Sequence, residues 1–229
     1  MKSQRQLTRT LVVLLTAGAL CLGLTASAAG VIYIYHNAFA TKAAFKEIKR
    51  TGGGNNCDRR WRERTKSMGV TVQGKRLCAF SPPVVGDADQ PDHAIAAVGQ
   101  VLPKKTTRPL RRAAYLAVRL RLGRGDFYEL QIRPRGRRYR LLRSPEEGVV
   151  SEGGQSNAIN ALKEKNRLQL QVKGARVKAS VNGRRLVTVV DPSPEDVRGR
   201  RTAFGLGNRK NASGTVAGVF RRVRVGIAE

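Results

Sequence analysis

Acidic residues are scarce in this 229-residue chain: 16 Asp and Glu stand against 44 Lys and Arg, a net charge of +28. That imbalance sets aside basic partners and points to an acidic ligand or surface. Aromatic residues make up only 5% of the chain, with a single Trp. The interleaved stacking platform of a single-strand nucleic-acid binder is therefore thin, and no nucleic-acid partner is expected. Two His and three Cys exclude a His-rich metal centre and a disulfide-dense scaffold, so neither metal nor cofactor is expected. No Gly-x-Ser-x-Gly elbow occurs, and no repeat of fixed period suggests a propeller or solenoid. Disorder is a poor reading as well, because 41% of the residues are apolar and they recur in short ordered runs.

Charge is also missing from one long stretch. Between Arg9 and Lys42 there is no Asp, Glu, Lys or Arg, and the apolar heart runs from Leu11 to Tyr35. About 20 helical residues cross a bilayer core. Two readings compete. A cleaved signal peptide would use residues 11–24 as its apolar region and Ala26-Ser27-Ala28 as the cleavage site. A retained anchor would use residues 10–35, with Tyr33 and Tyr35 in the interfacial belt. The anchor is favoured, because Val31-Ile32-Tyr33-Ile34-Tyr35 carries the hydrophobicity past the cut. Residues 1–9 then form a basic cytoplasmic N-terminus, 36–56 a linker ending in Gly52-Gly53-Gly54-Asn55-Asn56, and 57–229 the main domain on the outer side. Cys57 and Cys78 are the only cysteines after the membrane segment. In a translocated domain this pair reads as a disulfide.

Beyond a charge-rich, helix-like turn at 59–66, period-2 alternation dominates. Strands are expected over 69–73, 76–80, 94–102, 115–122, 127–133, 138–142, 167–172, 176–181, 186–190, 202–206 and 216–225. Asn182-Gly183 is a type I′ hairpin signal. Many short strands and almost no helix predict an all-β antiparallel sandwich behind an N-terminal transmembrane helix.

Four segments in order carry a family likeness: Asn166-Arg167-Leu168, Val181-Asn182-Gly183, Phe204-Gly205-Leu206-Gly207, and the closing Val219-Phe220-Arg221-Arg222-Val223-Arg224-Val225. With Tyr128-Glu129-Leu130 and Tyr139-Arg140-Leu141, the run resembles the concanavalin A-like (laminin-G-like) jelly roll, in its bacterial branch near the 3-keto-disaccharide hydrolase-type domain. The likeness covers residues 113–225, while residues 57–110 depart from it. It implies a jelly-roll fold shared by lectins, glycosidases and adhesion modules, and fold alone does not choose among them.

A jelly-roll glycosidase needs two carboxylates flanking the sugar bond. The Glu-x-Asp-x-x-Glu strand pattern of the laminarinase type is absent. The remaining candidate pairs are Asp126 with Glu129 and Glu195 with Asp196. His93 reads as a loop or partly buried histidine, and Asp87, Asp89, Asp92 and Asp191 as solvated loop acids rather than a calcium site. The basic residues are more informative. Residues 97–144 hold 14 Lys and Arg against two acids. Arg119 with Arg121, Arg138 with Arg140, Arg176 with Lys178, and Arg222 with Arg224 each share a strand face. If these strands are neighbours, the eight side chains make one cationic lattice for a polyanion. The expectation is a membrane-anchored, non-catalytic β-sandwich displayed outside the membrane. Its partner would be an anionic glycan, a cell-wall polymer or the membrane surface. A carbohydrate-active enzyme and a purely structural module are the alternatives. Compositional bias toward Arg competes with any reading of the charge, because Arg outnumbers Lys 31 to 13.

Overall fold

Apolar–polar alternation places one side of each strand in a core and the other outward. The computed structural model describes residues 31–83, 92–123, 126–144, 153–197, 199 and 201–228. In chain order the elements begin with β1 (Val31–Asn37), α1 (Lys42–Glu47), β2 (Lys49–Arg50), β3 (Cys57–Arg62) and β4 (Ser67–Gln73). They continue with β5 (Arg76–Ser81), β6 (His93–Val101), β7 (Ala114–Leu122), β8 (Phe127–Arg133) and β9 (Arg138–Ser144). The last five are β10 (Asn166–Lys173), β11 (Arg176–Val181), β12 (Arg184–Val190), β13 (Arg201–Asn208) and β14 (Thr215–Ala228). One sheet has eight strands in the order β12-β11-β10-β6-β14-β4-β3, with β1 also paired to β14. The other has six, β2-β5-β13-β7-β8-β9. The strand pairings are antiparallel, and the expected sandwich is present.

The two sheets bury Leu116, Leu120, Leu130 and Ile132 against Ile95, Leu168, Leu170 and Phe220. Phe204 is the centre of an aromatic group, its ring 4.9 Å from Phe220, 6.2 Å from Phe80 and 6.3 Å from Phe39. The Cys57–Cys78 disulfide forms, with the Cα atoms 5.5 Å apart. It joins β3 of one sheet to β5 of the other. The β11–β12 hairpin turns through Asn182 (φ 50°) and Gly183 (φ 81°). Positive φ at both central residues is what a type I′ turn requires.

Three expectations are corrected. First, residues 31–35 are not helix. Val31–Asn37 is a strand paired with β14 from Val31↔Ala228 to Asn37↔Val223. Its β-branched and aromatic residues suit a sheet, so the hydrophobicity beyond Ala28 has a sheet explanation. Among the described residues no helix is long and apolar enough to cross a membrane; residues 1–30 lie outside them. Second, 36–56 is not a linker. Thr41 Oγ1 accepts from Ala44 N at 3.1 Å and caps α1, and Phe39 and Ile48 are fully buried. The folded unit therefore includes residues from 31 onward. Third, 59–66 is the end of β3 followed by a short 3-10 turn at Glu63–Thr65. There the Trp61 indole N–H donates to the Phe39 carbonyl at 3.2 Å.

Candidate functional site

The eight basic residues expected to form one lattice divide between the two sheets. Arg119, Arg121, Arg138 and Arg140 belong to the six-stranded sheet; Arg176, Lys178, Arg222 and Arg224 belong to the eight-stranded one. Their outward faces are separated by the whole core, so no single surface contains all eight. Arg121 leaves even its own face. It has φ 51°, beside a shift of the β7–β13 register between Arg201 and Ala203. Its side chain is buried, donating to the carbonyls of Pro194 at 3.2 Å and Gly174 at 3.3 Å.

On the outward face of the six-stranded sheet, β8 presents Phe127, Glu129, Gln131 and Arg133 at every second position. Register sets Arg119 opposite Glu129, Gln131 opposite Arg140, and Arg133 opposite Arg138. Glu129 is the sole carboxylate in the six strands of this sheet, and it is only 1% exposed. Arg119 Nε donates to its Oε2 at 2.5 Å and Gln131 Nε2 to its Oε1 at 2.6 Å. The Arg119 guanidinium also lies 4.1 Å from the centre of the Phe127 ring. Burial, and next the Glu129 charge, push the Tyr115 phenol well above its usual range.

Next to this row is a surface cavity of about 490 Å³ lined by Arg133, Arg138, Arg140 and Arg209, with Tyr139 and residues 153–155. The 153–155 segment lies along β9, with Tyr139 N donating to the Gly154 carbonyl at 3.0 Å and a bridge between Arg138 and Gln155. Only glycine fits at 153, where a Cβ would fall 1.3 Å from the Tyr139 carbonyl oxygen. Arg209 is placed by its backbone N–H, which donates to the Ala113 carbonyl at 3.2 Å. Among the described residues, none of the four arginine side chains has an ion pair or a hydrogen bond. Burial lowers the Arg133 pKa, and the charges of Arg209, Arg138 and Arg140 lower it further. Burial and then Arg140 do the same to Arg209, with Tyr115 and Glu129 opposing. The cluster repels itself, and an anion relieves that repulsion. Each guanidinium can fork onto a carboxylate or phosphate.

The candidate acids are differently employed. Glu129 is held by Arg119 and Gln131, and Asp196 Oδ2 accepts from Arg143 at 2.9 Å, so one member of each pair is already committed to a cation. Of the loop acids, Asp92 accepts from Gly174 N at 2.7 Å. Asp191 pairs with Arg143 at 2.8 Å, and Asp87 and Asp89 lie outside the described residues. His93 is buried at the start of β6. Arg138 and Arg140 were readable as site residues from alternation, but Arg133 and Arg209 were missed. The period-2 run from Phe127 to Arg133 carries the signal for Arg133. Arg209 sits just past β13, and its approach to β9 is set by tertiary packing.

Neither a family model nor a curated protein matches the sequence. Solved structures do match. One is a protein of unknown function with a galectin-like fold from Bacillus subtilis, 12% identical with a TM-score of 0.59, covering 87% of this chain and 100% of that one. Another is the carbohydrate-binding module CBM66 from Bacillus subtilis, 14% identical with a TM-score of 0.52, covering 79% and 95%. A third is the Bacillus licheniformis β-glucanase, 10% identical with a TM-score of 0.58, covering 88% and 100%. The similarity extends over residues that the sequence resemblance left out, and the chain has the concanavalin A-like jelly-roll sandwich fold.

Proposed function

We propose that this chain is a non-catalytic glycan-binding β-sandwich whose ligand is a saccharide bearing carboxylate or phosphate groups. The observation that carries the reading is the cavity lined by Arg133, Arg138, Arg140 and Arg209, four cations that no described carboxylate pairs with. Gln131 and Arg119 beside it, both held by the buried Glu129, offer polar edges to sugar hydroxyls, and the part-exposed Phe127 gives the face some apolar area. The fold is shared with a carbohydrate-binding module. A disulfide suits an oxidising compartment, which supports display outside the membrane, with residues 10–30 as the anchoring or exported segment.

The test is calorimetric titration of the purified full-length protein with polygalacturonate, a phosphate-bearing polymer, a neutral glucan, single-stranded DNA and anionic lipid vesicles, across a salt series. A hydrogen bond to a charged group contributes about 1.5–3 kcal/mol, and tenfold in affinity is about 1.4 kcal/mol. Arg133→Ala and Arg209→Ala should each weaken the acidic polysaccharide about tenfold or more. Lys104→Ala/Lys105→Ala, which removes two exposed charges on a 3-10 turn, should change it little. Binding that tracks total charge alone, equal for all variants and abolished by moderate salt, would sink the proposal. Release of new chain ends from any polymer would move the chain to the enzyme class.

A further inference from the structure

The opposite face of the sandwich carries its own groove. On the eight-stranded sheet, register aligns Arg224 of β14 with Ala96 of β6, Gln169 of β10 and Ser180 of β11. The adjacent row runs Tyr33, Gly226, Ala94, Gln171 and Lys178. The core-facing neighbours Ile95, Leu168, Leu170 and Val225 establish that these rows point outward. Ala94, Ala96 and Gly226 therefore make a floor of minimal side chains. Long polar groups flank it, Arg224 and Tyr33 on one side and Gln169, Gln171 and Lys178 on the other. Arg224 and Gln169 stand on strands two spacings apart, about 10 Å, and Tyr33 and Gln171 on strands three spacings apart.

Two features mark the groove as more than a solvated strand face. Gln169 is 8% exposed, yet its amide Nε2 has no hydrogen-bond partner, and on the opposite wall the buried Tyr33 hydroxyl has none either. A buried polar atom left unsatisfied costs about 1–3 kcal/mol, and a bound hydroxyl or oxyanion removes that cost. The cations are crowded as well. The Arg224 guanidinium sits 5.4 Å over the Tyr33 ring. Burial, then Arg222 and Arg167, hold its pKa down. The groove opens at one end into a cavity of about 570 Å³ lined by Gln171, Lys173, Arg176 and Lys178 with Val190.

We infer that this groove is a second anionic-saccharide site, so that one chain bridges two polyanionic strands from opposite sides. The second site stands on its own residues, whereas bridging rests also on the proposed cavity of the six-stranded sheet. The two faces share no side chain and are separated by the core, so occupancy of one does not block the other. The division of basic residues between sheets then has a use that a single lattice would not supply.

The experiment uses the full-length protein with a short oligogalacturonate for stoichiometry and long polygalacturonate for light scattering. Wild type should bind two oligosaccharides per chain and give scattering that rises to equivalence and falls in excess protein. Arg176→Ala/Lys178→Ala and, separately, Gln169→Met should weaken one of the two sites about tenfold and abolish the scattering maximum. Gln169→Met changes no charge, so its effect is not general electrostatics. Arg133→Ala/Arg140→Ala should remove the other site with the same loss of scattering. One site in wild type, lost only in Arg133→Ala/Arg140→Ala, overturns the second site and leaves the first reading intact. One site lost only with the Gln169 and Arg176/Lys178 variants overturns bridging and the first reading together, and keeps the groove. Equal weakening by Lys104→Ala/Lys105→Ala, or no effect of Gln169→Met, overturns the groove. Thermal melts of every variant identify any that lose the fold.

Discussion

Replacing Asp191 by Asn should destabilise the protein by about 3 kcal/mol at pH 7, the low end of the ~3–5 kcal/mol cost of breaking a buried ion pair. The carboxylate lies between the two sheets, fully buried, and the Arg143 side chain is 4% exposed. Asp191 Oδ2 accepts from Arg143 Nε at 2.8 Å and from the Tyr128 hydroxyl, while Oδ1 accepts from Ser193 N at 3.0 Å. Its own N–H donates to the Ala175 carbonyl at 2.8 Å. Asparagine keeps the size and part of the hydrogen bonding but not the charge. Arg143 would then retain the Ser193 carbonyl at 2.8 Å and Asp196, whose side chain is 54% exposed and a weaker partner. That remaining compensation is why the low end of the range applies. For a chain of this size about 3 kcal/mol corresponds to a fall in Tm of roughly 6–12 °C.

The pH dependence separates this mechanism from a packing defect. Burial alone would push the Asp191 carboxyl up. Hydrogen bonds from Tyr128, Ser193 and Arg143, with the Arg143 charge, outweigh it and hold the group below the usual carboxylate range. A depressed folded-state pKa means the stabilisation is complete above the unfolded value, near 3.9, and is lost as pH falls through the folded one. Urea unfolding of wild type and Asp191→Asn at pH 3, 4, 5 and 7 should show a constant gap from 5 to 7 that narrows below about 4. A gap under about 1 kcal/mol at pH 7, or one that widens on acidification, would refute the reasoning.

Replacing both Cys57 and Cys78 by Ser should cost about 3 kcal/mol, the chain-entropy value for a loop of this length; urea midpoints matching wild type would contradict it. Because Cys78 is fully buried and Cys57 nearly so, reductant should act on the native protein only as fast as it opens, measured by thiol trapping. Gly153→Ala should weaken acidic-glycan binding several-fold by forcing residues 153–155 off β9, with the titration above as readout. A fragment starting at residue 31 should stay folded and monodisperse, whereas one starting at 42 strips β1 from β14 and should aggregate through the exposed strand edge in size-exclusion chromatography.

Most strands are legible because alternation is a local property. Val118, Leu120 and Arg119 state their sides without reference to anything distant, and Asn182-Gly183 states its turn. What alternation does not encode is sheet membership. Arg76–Ser81 follows Ser67–Gln73 across two residues, as a hairpin would, yet the strands lie in opposite sheets. The same ambiguity merged Arg138 and Arg140 with Arg176 and Arg222 into one expected surface. Val31–Asn37 was hidden for a related reason: an apolar strand adjoining an apolar leader has no boundary in composition. Its pairing with residues nearly 200 positions later leaves no local trace. Arg121 broke the pattern by a backbone irregularity, which turned an outward position into a buried one.

The placement of the two inter-sheet ties bears on the proposed binding faces. β3 and β5 lie toward one lateral edge of the sandwich, where the disulfide joins them; β12 and β9 are the edge strands at the other. At that second edge Tyr128 and Arg143 reach Asp191 immediately after β12, and the Tyr139 hydroxyl donates to the Leu186 carbonyl at 3.5 Å. One edge is held covalently and the other by a buried ionic network. Neither tie uses the outward side of a sheet. Arg133, Arg138 and Arg140 on one face, and Arg224, Gln169 and Lys178 on the other, take no part in either tie, as the proposed binding faces require. A scaffold tied at both edges spends no ligand affinity on its own ordering. On the proposed glycan-binding reading, loss of either tie should reduce polygalacturonate affinity, measured by titration at temperatures well below unfolding, through looser spacing of the arginines rather than through loss of any contact.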